Sequence, residues 1–133
     1  TDGMAIVPCS LGSLAAIAQG QSQSLVHRAA DVVLKERRRL VLAVRETPLS
    51  EVHLENMLKL ARMGVTILPP MPAFYNHPRV IEDIVEHIVV RLLDQFGIVV
   101  GFGRRWEGQM RNRSGGKGLA GSASRKRDET AEK

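Results

Sequence analysis

Leu40-Val-Leu-Ala-Val44 runs directly into Arg45-Glu46-Thr47-Pro48, and the reading of that stretch decides the fold. Five apolar residues with no polar alternation are the pattern of a strand buried on both faces, as in a parallel sheet. Upstream, Ser24 is a candidate N-cap for a helix to about Arg38, with Leu25, Ala29, Val33 and Arg37 at helical spacing. Before it, Met4-Ala-Ile-Val-Pro-Cys9 reads as a buried strand, and Ser10-Leu-Gly-Ser13 as a turn into a helix from about Leu14 to Gln19, stopped by Gly20. Downstream, Pro48 and Ser50 open a helix with Leu54, Met57, Leu58 and Ala61 on its apolar side and Glu51, Glu55, Lys59 and Arg62 on its wet side; Gly64 supplies the left-handed C-cap. Val65 to Leu68 is a third strand, and Pro69 to Pro78 a proline-rich loop in which no helix or ladder persists. A helix from about Arg79 to Phe96 follows, its apolar stripe made of Ile81, Ile84, Val85, Ile88, Val89, Leu92 and Phe96. Strands alternating with helices imply right-handed crossovers and an α/β fold with a parallel sheet covered on both faces.

The chain has 133 residues, 44% of them apolar and 25% charged, which suits one globular domain and excludes a collagenous or wholly disordered chain. No apolar run reaches the roughly 20 residues that span a bilayer, because Arg28, Asp31 and Lys35, or Glu82, Asp83 and Glu86, interrupt every candidate. Cys9 is the single cysteine, so neither an internal disulfide nor a cysteine-rich metal site is available, and a reducing, cytoplasmic setting is the default. The net charge of +5 resembles a nucleic-acid signal until it is located. Residues 1–102 carry ten basic and ten acidic side chains, whereas residues 103–133 carry nine and four. The excess lies in a Gly-, Ser-, Arg- and Lys-rich tail whose only aromatic residue is Trp106, too polar to order itself, and a solvated tail is preferred over a nucleic-acid arm.

In an open parallel sheet, ligands bind beyond the carboxyl ends of the strands. The first strand is followed by Ser10, Leu11, Gly12 and Ser13 at a helix start, where free N–H groups suit an anion or a polar ring edge, or where they are an ordinary capped turn. The second is followed by Arg45 and Glu46, a functional pair or a simple ion pair, and the third by the loop bearing the chain's only tyrosine, Tyr75. Arg28, Asp31 and Lys35 have the spacing of surface ion pairs, and Arg91 flanks the apolar stripe of the last helix, where a guanidinium wants a carboxylate or a phosphate. Cys9, with no histidine beside it in sequence, reads as a buried strand-end residue and not as a nucleophile.

The strings Val7-Pro-Cys-Ser-Leu-Gly-Ser-Leu-Ala-Ala-Ile-Ala18, Arg28-Ala-Ala-Asp-Val-Val-Leu-Lys-Glu-Arg-Arg38, Arg45-Glu-Thr-Pro-Leu-Ser50, His53-Leu-Glu-Asn-Met57 and Met71-Pro-Ala-Phe-Tyr75 closely resemble flavin prenyltransferases of the UbiX type. The resemblance covers roughly residues 1–98. It implies a three-layer Rossmann-like or flavodoxin-like fold, with residues 1–102 as the C-terminal part of a flavoprotein domain incomplete at its N-terminus; residues 103–133 remain the basic, disordered tail read from composition. The implied reaction moves a dimethylallyl group from dimethylallyl monophosphate to reduced FMN without a metal. Its product is the prenylated flavin that UbiD-type decarboxylases use in ubiquinone biosynthesis and aromatic-acid decarboxylation.

By the same resemblance Ser10, Leu11, Gly12, Ser13 and Arg45 contact the flavin, and Tyr75 and Arg91 contact the prenyl phosphate. Lys35 stands beside them, Glu46 relays a proton to the departing phosphate, and Arg28 and Trp106 lie around the site. Sites of this family are built between subunits, commonly in a dodecamer. The turn departs mildly from the pattern, with Ser-Leu-Gly-Ser where many members have Ser-Met-Gly-Thr. A strand and a phosphate-binding loop that open the family's domain are expected ahead of Thr1. Two alternatives stand beside this reading: a flavin-dependent decarboxylase of cysteine-containing peptides, and a non-catalytic oligomerising fragment.

Overall fold

The computed structural model describes residues 1–101; the expectation of a disordered tail and the role given to Trp106 lie outside them. Three parallel strands, β1 (Gly3–Cys9), β2 (Arg39–Val44) and β3 (Thr66–Ile67), form a sheet in the order β1-β2-β3. Between them run α1 (Leu11–Ala18), α2 (Leu25–Lys35) and α3 (Glu51–Arg62), and α4 (Ile81–Asp94) follows β3.

β2 is buried from Leu40 to Val44, as its unbroken apolar run requires. Leu40, Leu42 and Val44 face a core shared with Leu14 and Ile17 of α1, Ala30 and Val33 of α2 and Leu60 of α3, so these three helices cover one face. Val41 and Ala43 are equally buried on the other face. There α4 crosses: the Arg39 guanidinium donates to the Gln95 carbonyl just past its end. The Phe96 ring lies so close to Gly3 that an added Cβ would approach it to 2.7 Å. Helices therefore lie on both faces, three against one.

Several local expectations shift. β1 is not buried throughout: Ala5, Val7 and Pro8 are exposed on this edge strand, and the register slips between Ile6 and Cys9. Pro8, which has no N–H to give a ladder, sits in that bulge. The helical period of α3 holds, but its buried face is His53, Asn56, Met57 and Leu60, one position away from the expected one, leaving Leu54 and Leu58 half-exposed. Asn56 is tolerated there because the Gln19 side-chain amide donates to its Oδ1 at 3.4 Å. In α4 only Val90 is buried, outside the expected stripe, while Ile81 is 75% exposed. α1 begins at Leu11, because Ser10 is already its N-cap, and the proline loop does hold one 3₁₀ turn, Phe74–Asn76. Gly64 behaves as expected: with φ of +92° it lets the Val65 N–H reach the Leu60 carbonyl at 3.1 Å, closing α3 and returning the chain to β3.

Candidate active site

Parallel pairing of β1 with β2 brings Cys9 level with Val44, so the residues that follow both strands emerge side by side. Ser10, in extended conformation, caps α1 by accepting the Ser13 N–H on its Oγ at 3.1 Å. Across the gap, Glu46 Oε2 accepts the Leu11 N–H at 3.3 Å, a bond between residues 35 apart that places a carboxylate on the positive end of α1. Arg45 Nη2 lies 3.9 Å from Glu46 Oε1; both side chains are more than a third exposed, and such a pair contributes at most about 1 kcal/mol. The remaining first-turn donor, the Gly12 N–H, is capped by no side chain, and a Cβ at Gly12 would meet nothing nearer than Ser10 Oγ at 3.8 Å. A ligand atom can thus approach that backbone directly.

Sequence reasoning missed His27. Ser24 Oγ accepts the His27 N–H at 3.2 Å, fixing the first turn of α2 so that the His27 Nε2 sits 3.2 Å from Ser13 Oγ. Ser13 Oγ also accepts from Ser10 Oγ at 3.2 Å. The His27 Nδ1 is buried with no partner. A histidine at the third position of a helix that must pack beside a serine-rich turn was the available signal.

Cys9 is fully buried beneath this cluster, and its thiol is pushed up to about 11, first by burial and second by the charge of Glu46. It is a packed, protonated strand-end residue, in line with its sequence reading.

Other expected site residues fall elsewhere. Lys35 is in the last turn of α2, eight residues beyond His27 and so about 12 Å along the helix, at the end where Arg38 donates to the Thr1 carbonyl. Within one chain it lies away from Glu46, because a crossover helix that starts at the carboxyl ends of the strands finishes at their amino ends. Arg28 is exposed on the first turn of α2, and neither it nor Lys35 pairs with Asp31. The exposed ring of Tyr75 packs edge-on against His87 of α4, with ring centres 6.1 Å apart, and Asn76 Nδ2 lies 3.0 Å from His87 Nδ1. Arg91, one turn beyond His87, is exposed and pairs with Asp94 at 3.4 Å. The loop turn that carries Tyr75 thus lies against α4 one helical turn before Arg91. Beside them is a cavity of about 350 Å³ whose lining includes Asn76, His77, Arg79, Glu86 and His87. Among the described residues no group of three or more His, Cys, Asp or Glu could hold a metal ion, and no helix is long and apolar enough to cross a membrane.

An open parallel sheet flanked by helices, with a serine-capped helix N-terminus at its carboxyl edge, is the architecture of a flavodoxin-like α/β domain. The chain belongs to the flavoprotein family, whose model matches residues 1–93. It is 59% identical over 123 residues to a probable UbiX-like flavin prenyltransferase of Streptomyces sp. strain D7, covering 92% of this chain and 62% of that one. A dodecameric FMN-dependent UbiX-like decarboxylase from Escherichia coli O157:H7 superposes with a TM-score of 0.79 at 62% identity, over 81% of this chain and 58% of that one. AnUbiX in complex with FMN and dimethylallyl pyrophosphate gives 0.80 at 54% identity, over 83% and 58%. The chain therefore spans less than two thirds of the length of these relatives.

Proposed function

We propose that this chain carries the ring-edge and proton-relay part of a flavin prenyltransferase site, acting with dimethylallyl monophosphate and FMN in a cytoplasmic homo-oligomer. The Glu46 to Leu11 hydrogen bond carries the reading, since it assembles the Ser10–Ser13 turn and the Arg45–Glu46 pair into one site. The residues fit the cofactor. The edge of an isoalloxazine ring presents carbonyl oxygens and ring nitrogens, and the site offers the uncapped Gly12 N–H, the Ser13 hydroxyl and the Arg45 guanidinium. Reduced FMN, when bound, would supply the nucleophile for the prenyl group.

The chain's own part is electrostatic and acid–base. Arg45 and the α1 terminus stabilise negative charge, and Glu46, held against that terminus, passes a proton to the departing phosphate. Side-chain donors handle a monophosphate without a metal. The distance of Lys35 from Glu46 within one chain suits a site completed by a second copy, as do the exposed apolar residues Leu54, Leu58, Ile81 and Val85. The product would pass to a UbiD-type decarboxylase.

FMN titration of the whole protein followed by fluorescence, with Gly12→Ala alongside, tests the reading. Wild type is expected to bind FMN and, with FMN reduced, to add one prenyl unit to it by mass spectrometry. Gly12→Ala should keep or raise the melting temperature, since alanine is the better helix former, and lose most FMN affinity. Equal binding by the two proteins overturns the placement of the flavin, and prenyl-free product overturns the reaction.

A further inference from the structure

His27 has no role in the reaction as derived above, yet it is the one described side chain left with a buried, unpartnered polar atom. Its Nδ1 has no partner, and its Nε2 lies 3.2 Å from Ser13 Oγ. Two neutral tautomers are available. With the proton on Nδ1, a buried N–H would have no acceptor, whereas with the proton on Nε2 only a lone pair is unmatched and the ring donates to Ser13. Leaving a buried N–H orphaned is the rarer and costlier arrangement, so the second tautomer is favoured. Ser13 Oγ then accepts from both His27 and Ser10, and its own hydrogen is available to an acceptor from outside the chain.

We infer that His27 is a positioning residue that holds the Ser13 hydroxyl as a hydrogen-bond donor toward an acceptor atom on the flavin ring edge. The inference rests on the flavin reading above and adds a polarity to it: the ligand atom at Ser13 is a carbonyl oxygen or unprotonated ring nitrogen. Half-buried Ser13 adjoins the exposed Gly12, so the hydroxyl and the free Gly12 N–H present two donors on one side of the α1 terminus.

The test measures FMN dissociation constants, the shape of the long-wavelength flavin absorption band and melting temperatures for the whole protein. The variants are His27→Leu, Ser13→Ala, the double variant and His27→Gln. His27→Leu and Ser13→Ala should each weaken FMN binding about tenfold and alter the band alike, with no further loss in the double variant. His27→Gln, which puts an amide N–H near the Nε2 position, should stay within about threefold of wild type. Wild-type affinity in His27→Leu, or additive losses in the double variant, overturns the inference. Should His27→Leu fail to fold, His27→Asn replaces it: its amide reaches only the Nδ1 position, so affinity equal to that of His27→Gln overturns the inference. A wild-type protein that takes up no FMN overturns the flavin reading, and this inference with it.

Discussion

Glu46 is the residue on which two explanations meet. As half of an exposed ion pair with Arg45, and as a cap for one N–H of α1, it contributes about 1 kcal/mol or less to stability. Glutamine can keep the acceptor at Leu11 while giving up the acid. In the whole protein Glu46→Gln is therefore expected to shift the melting temperature by only a few degrees, leave FMN affinity nearly unchanged and slow prenyl transfer about 10²-fold or more. A collapse of the melting temperature with turnover intact would make Glu46 a structural residue. Cys9 makes the opposite case. Its thiol is raised from 9.0 to about 11, so above pH 9 the unfolded chain releases the proton first and stability falls as pH rises from 9 to 11. The loss is about 2 kcal/mol by pH 11, and it should flatten in Cys9→Ala when denaturation midpoints are compared across that range. At pH 8 iodoacetamide should leave Cys9 unmodified in folded protein and label it on unfolding, as mass spectrometry would record.

At the scale of elements, α4 is the least anchored part of the described chain. It is held by buried Val90, by Phe96 against Gly3 and by the Arg39 contact to Gln95, while Asp83 Oδ2 in its first turn accepts from the Arg79 N–H of the preceding loop at 2.7 Å. The Tyr75–His87 contact ties the proline loop to it. A helix so placed can move with its loop when a phosphate enters, at the cost of little packing. Arg91→Ala removes an exposed pair and should barely change stability, yet weaken dimethylallyl monophosphate binding by about 1.5–3 kcal/mol in FMN-loaded protein, the scale of a charged hydrogen bond. Tyr75→Phe should lose less in the same direction. Unchanged phosphate affinity in Arg91→Ala would leave the Asp94 pair as the whole of that arginine's role.

At the scale of the molecule, α2 separates His27, at the carboxyl end of the sheet, from Lys35, at its amino end. If Lys35 serves the site of a second copy, two inactive variants can complement each other. Protein assembled from equal parts Lys35→Ala and Glu46→Gln should recover about a quarter of wild-type prenyl transfer, the fraction of sites that draw Glu46 and Lys35 from intact copies. Activity no greater than that of the two variants kept apart would confine each site to one chain.

The one-dimensional pattern of the chain was enough for its strand and helix order, the parallel sheet, the Gly64 terminus and the capped turn after β1. All of these rest on local chemistry: an unbroken apolar run, a glycine able to take positive φ, serines able to cap. The strings from Val7 to Tyr75 likewise led to the family. Tertiary structure decided which face of each helix is buried. Periodicity gives the spacing of a stripe but not its phase when apolar residues occur on several sides, as Leu54 and Asn56 show. It also decided what meets at the site. The bond between Glu46 and Leu11 and the approach of His27 to Ser13 depend on the register of β1 against β2 and the docking of α2 on α1. The separation of Lys35 from Glu46 follows from the direction of a crossover helix, a property of the path in space that no local spacing encodes.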